Sequence, residues 1–400
     1  VGQGDPSWGG SDSAANTMTN DFNVWATNSN NESVRGRFYF SLRGPSGTSY
    51  YLTSFAPATA SALASGQLAN ANLSSANLSN VNLVSADLSS ANLTSTNLSG
   101  ASLTSANLTG ATLTSANLTN ANLSGSTLSR ANLSGATLTG ATLSNANLKS
   151  AKLKNAVLTR ANLNGAVLKK AVLSKAKLSG AKLVKAELKR AVLTKAKLIA
   201  ANLKKADLGS AKLKKANLAS AELKRANLSK ADLNGAFLKD ANLKSAKLKK
   251  ADLNKADLNN AILTSAKLRD SKLVDAKLVN AKLQKANLEN SDLKNSNLTN
   301  SDLTKASLKR ANLLKANLSG ANLSSANLTF ANLTFANLSS AKLQNANLTN
   351  AKLTGANLNN VDLSDSNLTG LSGSKLSICP RYFPEGWKCD QEKTLIEIES

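Results

Sequence analysis

Histidine is absent from the 400 residues, while methionine occurs once, cysteine twice and proline five times. Without an imidazole there is no histidine general base, no Ser/His/Asp or Cys/His nucleophile system and no histidine-ligated zinc, iron or copper centre. Acidic residues are also scarce: 24 Asp plus Glu stand against 49 Lys plus Arg, a net charge of +25. Such an excess favours polyanionic partners unless a neighbour neutralises it. No apolar run approaches the roughly 20 residues of a membrane span. Neither a cofactor nor a metal site is expected.

What the chain does have is a period of five. From Leu63 to Leu368 every fifth residue is leucine, 62 in succession. Two residues before each leucine stands a small residue, usually alanine (Ala71, Ala76, Ala101), otherwise Ser126, Thr96, Gly66 or Val81. Asn, Asp, Lys or Thr is common between the two, and Ser, Thr, Lys or Asn fills the last two places. On an α-helix, leucines five apart advance by about 140° per step and reach every face; on a flat strand they alternate sides. A chain that turns a corner every five residues buries both the small residue and the leucine. Four such sides close a square coil of about 20 residues, stacked at the strand spacing of about 4.8 Å. Residues 61–370 then make about 15 coils and a shaft of roughly 75 Å.

Ala71-Asn72-Leu73-Ser74-Ser75 and Ala86-Asp87-Leu88-Ser89-Ser90 resemble the pentapeptide-repeat family, consensus Ala-(Asp/Asn)-Leu-x-x. The resemblance covers about three quarters of the chain and implies an all-β fold, the right-handed quadrilateral β-helix, with leucine and the small residue inside. It implies little about activity. Some members imitate duplex DNA by shape and negative charge; a net charge of +25 has the opposite sign.

The outward positions divide this monotonous frame. Residues 61–148 carry only Asp87 and Arg130, whereas Lys149–Lys315 hold 39 Lys plus Arg and 12 Asp plus Glu. Residues 316–370 are again nearly neutral, with Lys342, Lys352, Asp362 and Asp365. The belt's candidate polyanion contacts are Lys169, Lys170, Lys189, Arg190, Lys204, Lys205, Lys214, Lys215, Lys249 and Lys250. Folded at 20 residues per coil, its four sides carry 10, 13, 11 and 5 cations. The poorest side turns out Val157, Ile199, Phe237 and Val279, which reads either as a lateral packing stripe or as neutral variation at solvent positions. Phe237 is the belt's sole aromatic, so no stacking platform for specific nucleic-acid reading is expected there. The paired carboxylates Asp252 and Asp257 lie among lysines and read as charge balance, not as a catalytic pair.

The flanks differ in kind. Residues 1–60 hold nine of the fifteen aromatics. Arg35–Leu42 and Ser49–Leu52, joined by Gly44-Pro45-Ser46-Gly47, predict a hairpin, with Phe38, Tyr39, Phe40, Tyr50 and Tyr51 as assembly candidates. In residues 371–400, Cys379 and Cys389 suit one loop-closing disulfide. Leu395, Ile396 and Ile398 then read as an edge strand, and the flanks either cap the open rungs of the shaft or join them to another chain. The first residue is valine, as expected of a secreted protein whose signal peptide has been removed.

Two roles follow as expectations, both non-enzymatic. One is a structural subunit of an extracellular or cell-surface bacterial filament, a homo-oligomer joined end to end through the flanks. The alternative is a basic binding module for anionic polysaccharide, cell envelope or another polyanion.

Overall fold

The computed structural model describes residues 23–27, 33–37, 68–371 and 373–398. The chain forms two compact units, Val1–Val192 and Leu193–Ser400. In the first unit, strands β1 (Asn23–Thr27) and β2 (Ser33–Arg37) pair antiparallel, Asn23 opposite Arg37 and Thr27 opposite Ser33. This pair lies earlier in the chain than the hairpin predicted from the sequence. Only Arg35–Arg37 of that prediction falls within β2, and Ser49–Leu52 lies outside the described residues. The intervening Asn28-Ser29-Asn30-Asn31 is as rich in turn-forming side chains as Gly44-Pro45-Ser46-Gly47, and composition alone does not rank the two.

The rest of the first unit, residues 68–192, is a coil of five-residue sides. Its rungs are single parallel bridges 20 residues apart, as in Asn72, Asn92, Thr112, Asn132, Lys152, Val172 and Val192. One repeat, Ala91–Ser95, shows why the geometry is stable. Ala91 N donates to Leu88 O of the preceding side (3.1 Å), closing a four-residue turn, and Asn92 N donates to Ala71 O of the preceding coil (2.9 Å). Leu93 N and Ser95 N donate to Thr112 O and Thr114 O of the next coil (2.6 and 2.9 Å). The fifth donor, Thr94 N, is met by the Asn92 Oδ1 atom (3.1 Å). Every backbone N–H of the repeat has an acceptor, as buried or half-buried peptide groups require. Asn or Asp in the second place is therefore a backbone partner, and its amide also bonds across coils, as Asn92 Nδ2 does to Asn72 Oδ1 (3.1 Å).

The corner has a conformational requirement that leucine spacing does not reveal. The fifth residue of nearly every repeat is left-handed, with φ 59° at Ser75, 57° at Asn80 and 60° at Lys170. Positive φ at the third position of a four-residue turn is the type II pattern. For a non-glycine residue it costs about 1–2 kcal/mol. The same conformation aims the residue's N–H at the next coil, so the ladder bond offsets the cost.

The second unit repeats this frame from Leu193 to Leu371. In Ala331–Phe335 the donors again find Leu328 O, Ala311 O, Lys352 O and Thr354 O, at 2.8 to 2.9 Å. Thr334 N donates to Asn332 Oδ1 at 3.1 Å. In two repeats with lysine in the second place the preceding coil supplies the acceptor: Val274 N bonds Asn254 Oδ1 (2.8 Å) and Val279 N bonds Asn259 Oδ1 (3.0 Å). In both units the leucines and small residues are almost wholly buried, each leucine contributing roughly 1.5–3 kcal/mol of apolar burial.

Most hydroxyls that replace the small residue bond inside. Ser271, Ser291 and Ser296 donate to the leucine carbonyl three residues back at 2.6 Å, and Ser366 donates to Leu343 O at 2.9 Å. The buried Ser301 hydroxyl has no partner.

The C-terminal flank folds onto the last coils of this unit. Ile378 and Tyr382 extend the ladder against Asn357 and Asp362. Strands β3 (Trp387–Cys389) and β4 (Leu395–Glu397) pair antiparallel. Gly373 N donates to Leu395 O, and Leu395 N donates to Ser374 O. Cys379 and Cys389 are disulfide-bonded, their Cα atoms 6.3 Å apart. Leu395 is fully buried. Of the two roles the sequence left open for this strand, Leu395 takes that of seating the flank on its own coil and not that of an open edge, because the turn at Asp390–Lys393 folds β4 back onto β3.

Three aspartates in the second place hold their protons weakly. The Ser89 backbone N–H and hydroxyl lower Asp87, with Asn107 adding to them against a small desolvation cost. Burial raises Asp302, yet the Thr304 hydroxyl and N–H, the Gln284 amide and Lys282 together outweigh it. The Ser364 hydroxyl and N–H lower Asp362.

Two outcomes follow. Ser301→Ala removes an unpartnered buried hydroxyl and should raise stability by about 1 kcal/mol, whereas Ser291→Ala loses a bond and should gain nothing. Equal destabilisation of the two in urea unfolding would contradict the assignment. Depressed carboxylate pKa values stabilise the fold above the unfolded value of about 3.9; that contribution is lost as pH falls through the lower folded values. Asp302→Asn, which keeps the turn acceptor, should therefore lose less stability than the parent between pH 5 and about pH 2. Identical acid limbs would count against it.

Candidate functional site

The corner geometry decides where the basic side chains stand. Lysines in the fourth and fifth places of a repeat flank the turn and point outward, and their counterparts 20 residues away lie one rung off, about 4.8 Å along the ladder. In the first unit this builds one column from Lys149, Lys169 and Lys189 and a corner column containing Lys170 and Arg190, both left-handed with φ 60°. Lys169 pairs with Glu187 through the Oε2 atom.

In the second unit, Lys204 and Lys205 are followed one coil later by Lys224 and Arg225. Lys214 and Lys215 occupy the opposite side. The densest group surrounds Lys249 and Lys250: Lys230, Lys247, Lys267 and Arg269 share their side, all exposed, and Lys247 bridges Lys267 directly in the ladder. Arg269 lies 3.9 Å from both Asp270 and Glu289, and Lys204 lies 3.7 Å from Glu222. Of the ten belt residues expected from the sequence, only Lys169 and Lys204 join ion pairs among the described residues. Like charges one rung apart repel by about 1 kcal/mol even at the dielectric of water. A bound polyanion would relieve that repulsion.

The belt's carboxylates serve the backbone. Asp252 Oδ1 accepts from Asn254 N (3.0 Å) and Asp257 Oδ1 from Asn259 N (3.1 Å), the same turn role as asparagine.

The expected lateral stripe is broken. In the second unit Phe237 is exposed but lies between Asn217 and Asp257 in its ladder, and Lys239 and Asn259 separate Ile199 and Ala219 from Val279. Val157, in the first unit, is half-buried. Among the assembly candidates, Phe38, Tyr39, Phe40, Tyr50 and Tyr51 lie outside the described residues, Ile396 is half-buried and Ile398 is exposed. Ile378 and Tyr382 join Ile398 as exposed large side chains on the C-terminal flank.

Two residues escaped the sequence reading. Phe330 and Phe335 lie beyond the basic belt, at left-handed corners with φ 58° and 56°. Lining up the fifth place of every repeat would have revealed them as the aromatic exceptions.

No helix among the described residues is long and apolar enough to cross a membrane. Comparison with curated proteins gives no match. Solved structures similar to the chain include HetL, a pentapeptide repeat protein involved in heterocyst differentiation regulation from the cyanobacterium Nostoc sp. strain PCC 7120. It is 35% identical over 57% of this chain and 88% of its own, with a TM-score of 0.24. A pentapeptide repeat protein from the Arabidopsis thaliana thylakoid lumen is 31% identical over 26% of this chain and 66% of its own, with a TM-score of 0.14. Full-length QnrB1, a plasmid-mediated fluoroquinolone resistance protein, is 20% identical over 40% and 83%, with a TM-score of 0.19. The family pattern "Pentapeptide repeats (8 copies)" matches successive, largely overlapping segments from residues 67–104 to 331–370. With its repeats matched along most of its length, the chain belongs to the pentapeptide-repeat family and carries that family's right-handed quadrilateral β-helix.

Proposed function

We propose that the protein is a non-catalytic binding module for polyanions, and that the stacked lysine columns are its contact surface. The observation that carries this reading is the small number of ion pairs on the belt: exposed ammonium groups stand rung upon rung, most without a carboxylate partner among the described residues. Lysine outnumbers arginine there, which suits diffuse attraction to a charged polymer more than bidentate recognition of one group. The Cys379–Cys389 disulfide supports an oxidising, extracellular or cell-surface location, where the polyanion would be an acidic polysaccharide or the cell envelope.

A second reading, the subunit of an extracellular filament, is favoured by one feature. Ile378, Tyr382 and Ile398 leave three large side chains exposed on the C-terminal flank, a surface that a second copy could cover. With Leu395 committed to its own coil, such a joint would rest on these side chains and not on an open rung.

The polyanion reading is tested by titrating the full chain with linear polyphosphate at increasing salt. Affinity should fall at least roughly tenfold between 50 and 300 mM NaCl, as release of counterions from several lysine contacts requires. Binding that is absent, or indifferent to salt, would reject it. Ordered fibres of the purified chain under the electron microscope would support the filament reading; monodisperse particles would count against it.

A further inference from the structure

We propose that the side of the coil between Phe330 and Phe335 is a stacking site for an acidic polysaccharide, in which two sugar rings lie on the two phenylalanines and their anionic groups meet Arg310, Lys315 and Lys352. The inference rests on the polyanion reading above and narrows it to one polymer class and one face.

Phe330 and Phe335 are neighbouring corners of a single coil, separated by Ala331-Asn332-Leu333-Thr334. Ala331 and Leu333 point inward and are fully buried; Asn332 and Thr334 form the half-buried outer surface between the corners. A bulky residue is a poor choice for left-handed backbone. The other non-glycine corners of the repeats carry Ser, Asn, Asp, Lys, Arg or Ala. These two rings are nevertheless half-exposed, at 50% and 58%, so burial does not compensate for the choice.

Both rings are held in place. Gly355 stands at the corner one coil beyond Phe335, where a Cβ atom would come within 2.3 Å of Phe335 Cδ1 and 2.4 Å of Cε1. The ring therefore lies across a corner stripped of its side chain and leaves the rest of its surface to solvent. The Arg310 guanidinium carbon lies 5.8 Å from the centroid of the Phe330 ring, a cation–π contact.

The charges around the face have one sign. Arg310 and Lys315 occupy the same two corners one coil earlier, tied to this coil by Arg310 N to Thr329 O (2.9 Å) and Lys315 N to Thr334 O (3.0 Å). Lys352 follows Asn332 in the ladder. No carboxylate occurs in the sequence between Asp302 and Asp362, so an anionic guest meets no like charge from this stretch.

The chemistry selects the guest. Phosphate groups gain nothing from an aromatic face. A pyranose offers an apolar C–H face to a ring, hydroxyls to Asn332, Thr334 and Thr354, and, in a uronate or sulfated sugar, one anion per ring. Single-stranded nucleic acid would also stack, but its platforms set successive bases on aromatic side chains along a continuous basic groove. Here a full polar side separates the two rings.

The test compares Phe330→Ser/Phe335→Ser with the parent chain, both full length, by calorimetric titration with polygalacturonate, linear polyphosphate and oligo(dT). Serine already stands at the corners Ser325 and Ser340, so the variant should fold. The expected result is a loss of about tenfold or more in polygalacturonate affinity with polyphosphate affinity unchanged. Gly355→Ala, which displaces the Phe335 ring, should weaken polygalacturonate binding in the parent but not in a Phe335→Ser background. Unchanged polygalacturonate affinity in the double variant would overturn the proposal. So would a loss confined to oligo(dT), or a change in self-association with no change in sugar binding. If the parent binds polyphosphate but not polygalacturonate, this inference fails while the broader reading stands; if it binds neither, the broader reading fails.

Discussion

The constraint on which the structure depends is the pairing of backbone donors in the five-residue repeat. Two reach the next coil, one the preceding coil and one the preceding side, and where the second place is Asn or Asp its side-chain oxygen takes the last, as Ala91–Ser95 and Ala331–Phe335 both show. Leucine burial supplies the apolar stabilisation. It does not specify a square. The left-handed fifth residue does, because there a tight turn coincides with a ladder N–H aimed at the next coil.

This division of labour explains why the surface varies so freely. Interior positions are limited to leucine and a small partner, and most hydroxyls that replace alanine bring their own bond, as those of Ser271 and Ser291 do. Fourth- and fifth-place side chains only flank the turn, so lysine replaces serine with little consequence for the frame. Charge can accumulate there until mutual repulsion limits it. The belt's exposed columns, with few carboxylate partners, are what such freedom permits and what a polyanionic partner would reward.

The inside of the protein was legible in its sequence and the corners were not. A leucine every five residues with a small residue two places before it admits few solutions, and the buried Ala and Leu positions follow directly. The second-place Asn and Asp could be counted but not explained, since their role is to accept a backbone N–H two residues on. Left-handed corners leave a weak signature, because long side chains such as Lys170 and Arg190 occupy them beside Ser75 and Asn80. The role of the C-terminal flank stayed open in the sequence for a related reason: Ile396 and Ile398 alternate with Glu397 and Glu399 like edge-strand residues, and only the turn at Asp390–Lys393 shows that the partner of Leu395 is β3. The ladder order bears on the two readings of the charge-poor side, since Lys239 and Asn259 stand between Ala219 and Val279 and interrupt its apolar residues.

The central claim is that the coil's interior carries stability while its outward cations carry binding. The most direct measurement replaces Lys169, Lys170, Lys189, Arg190, Lys204, Lys205, Lys214, Lys215, Lys249 and Lys250 with Ser or Asn and records the thermal unfolding midpoint beside polyanion affinity. The account predicts an unfolding midpoint equal to or above the parent's, because repulsion is removed, and binding reduced to a small fraction. A variant that unfolds at lower temperature, or that binds as the parent does, would contradict it.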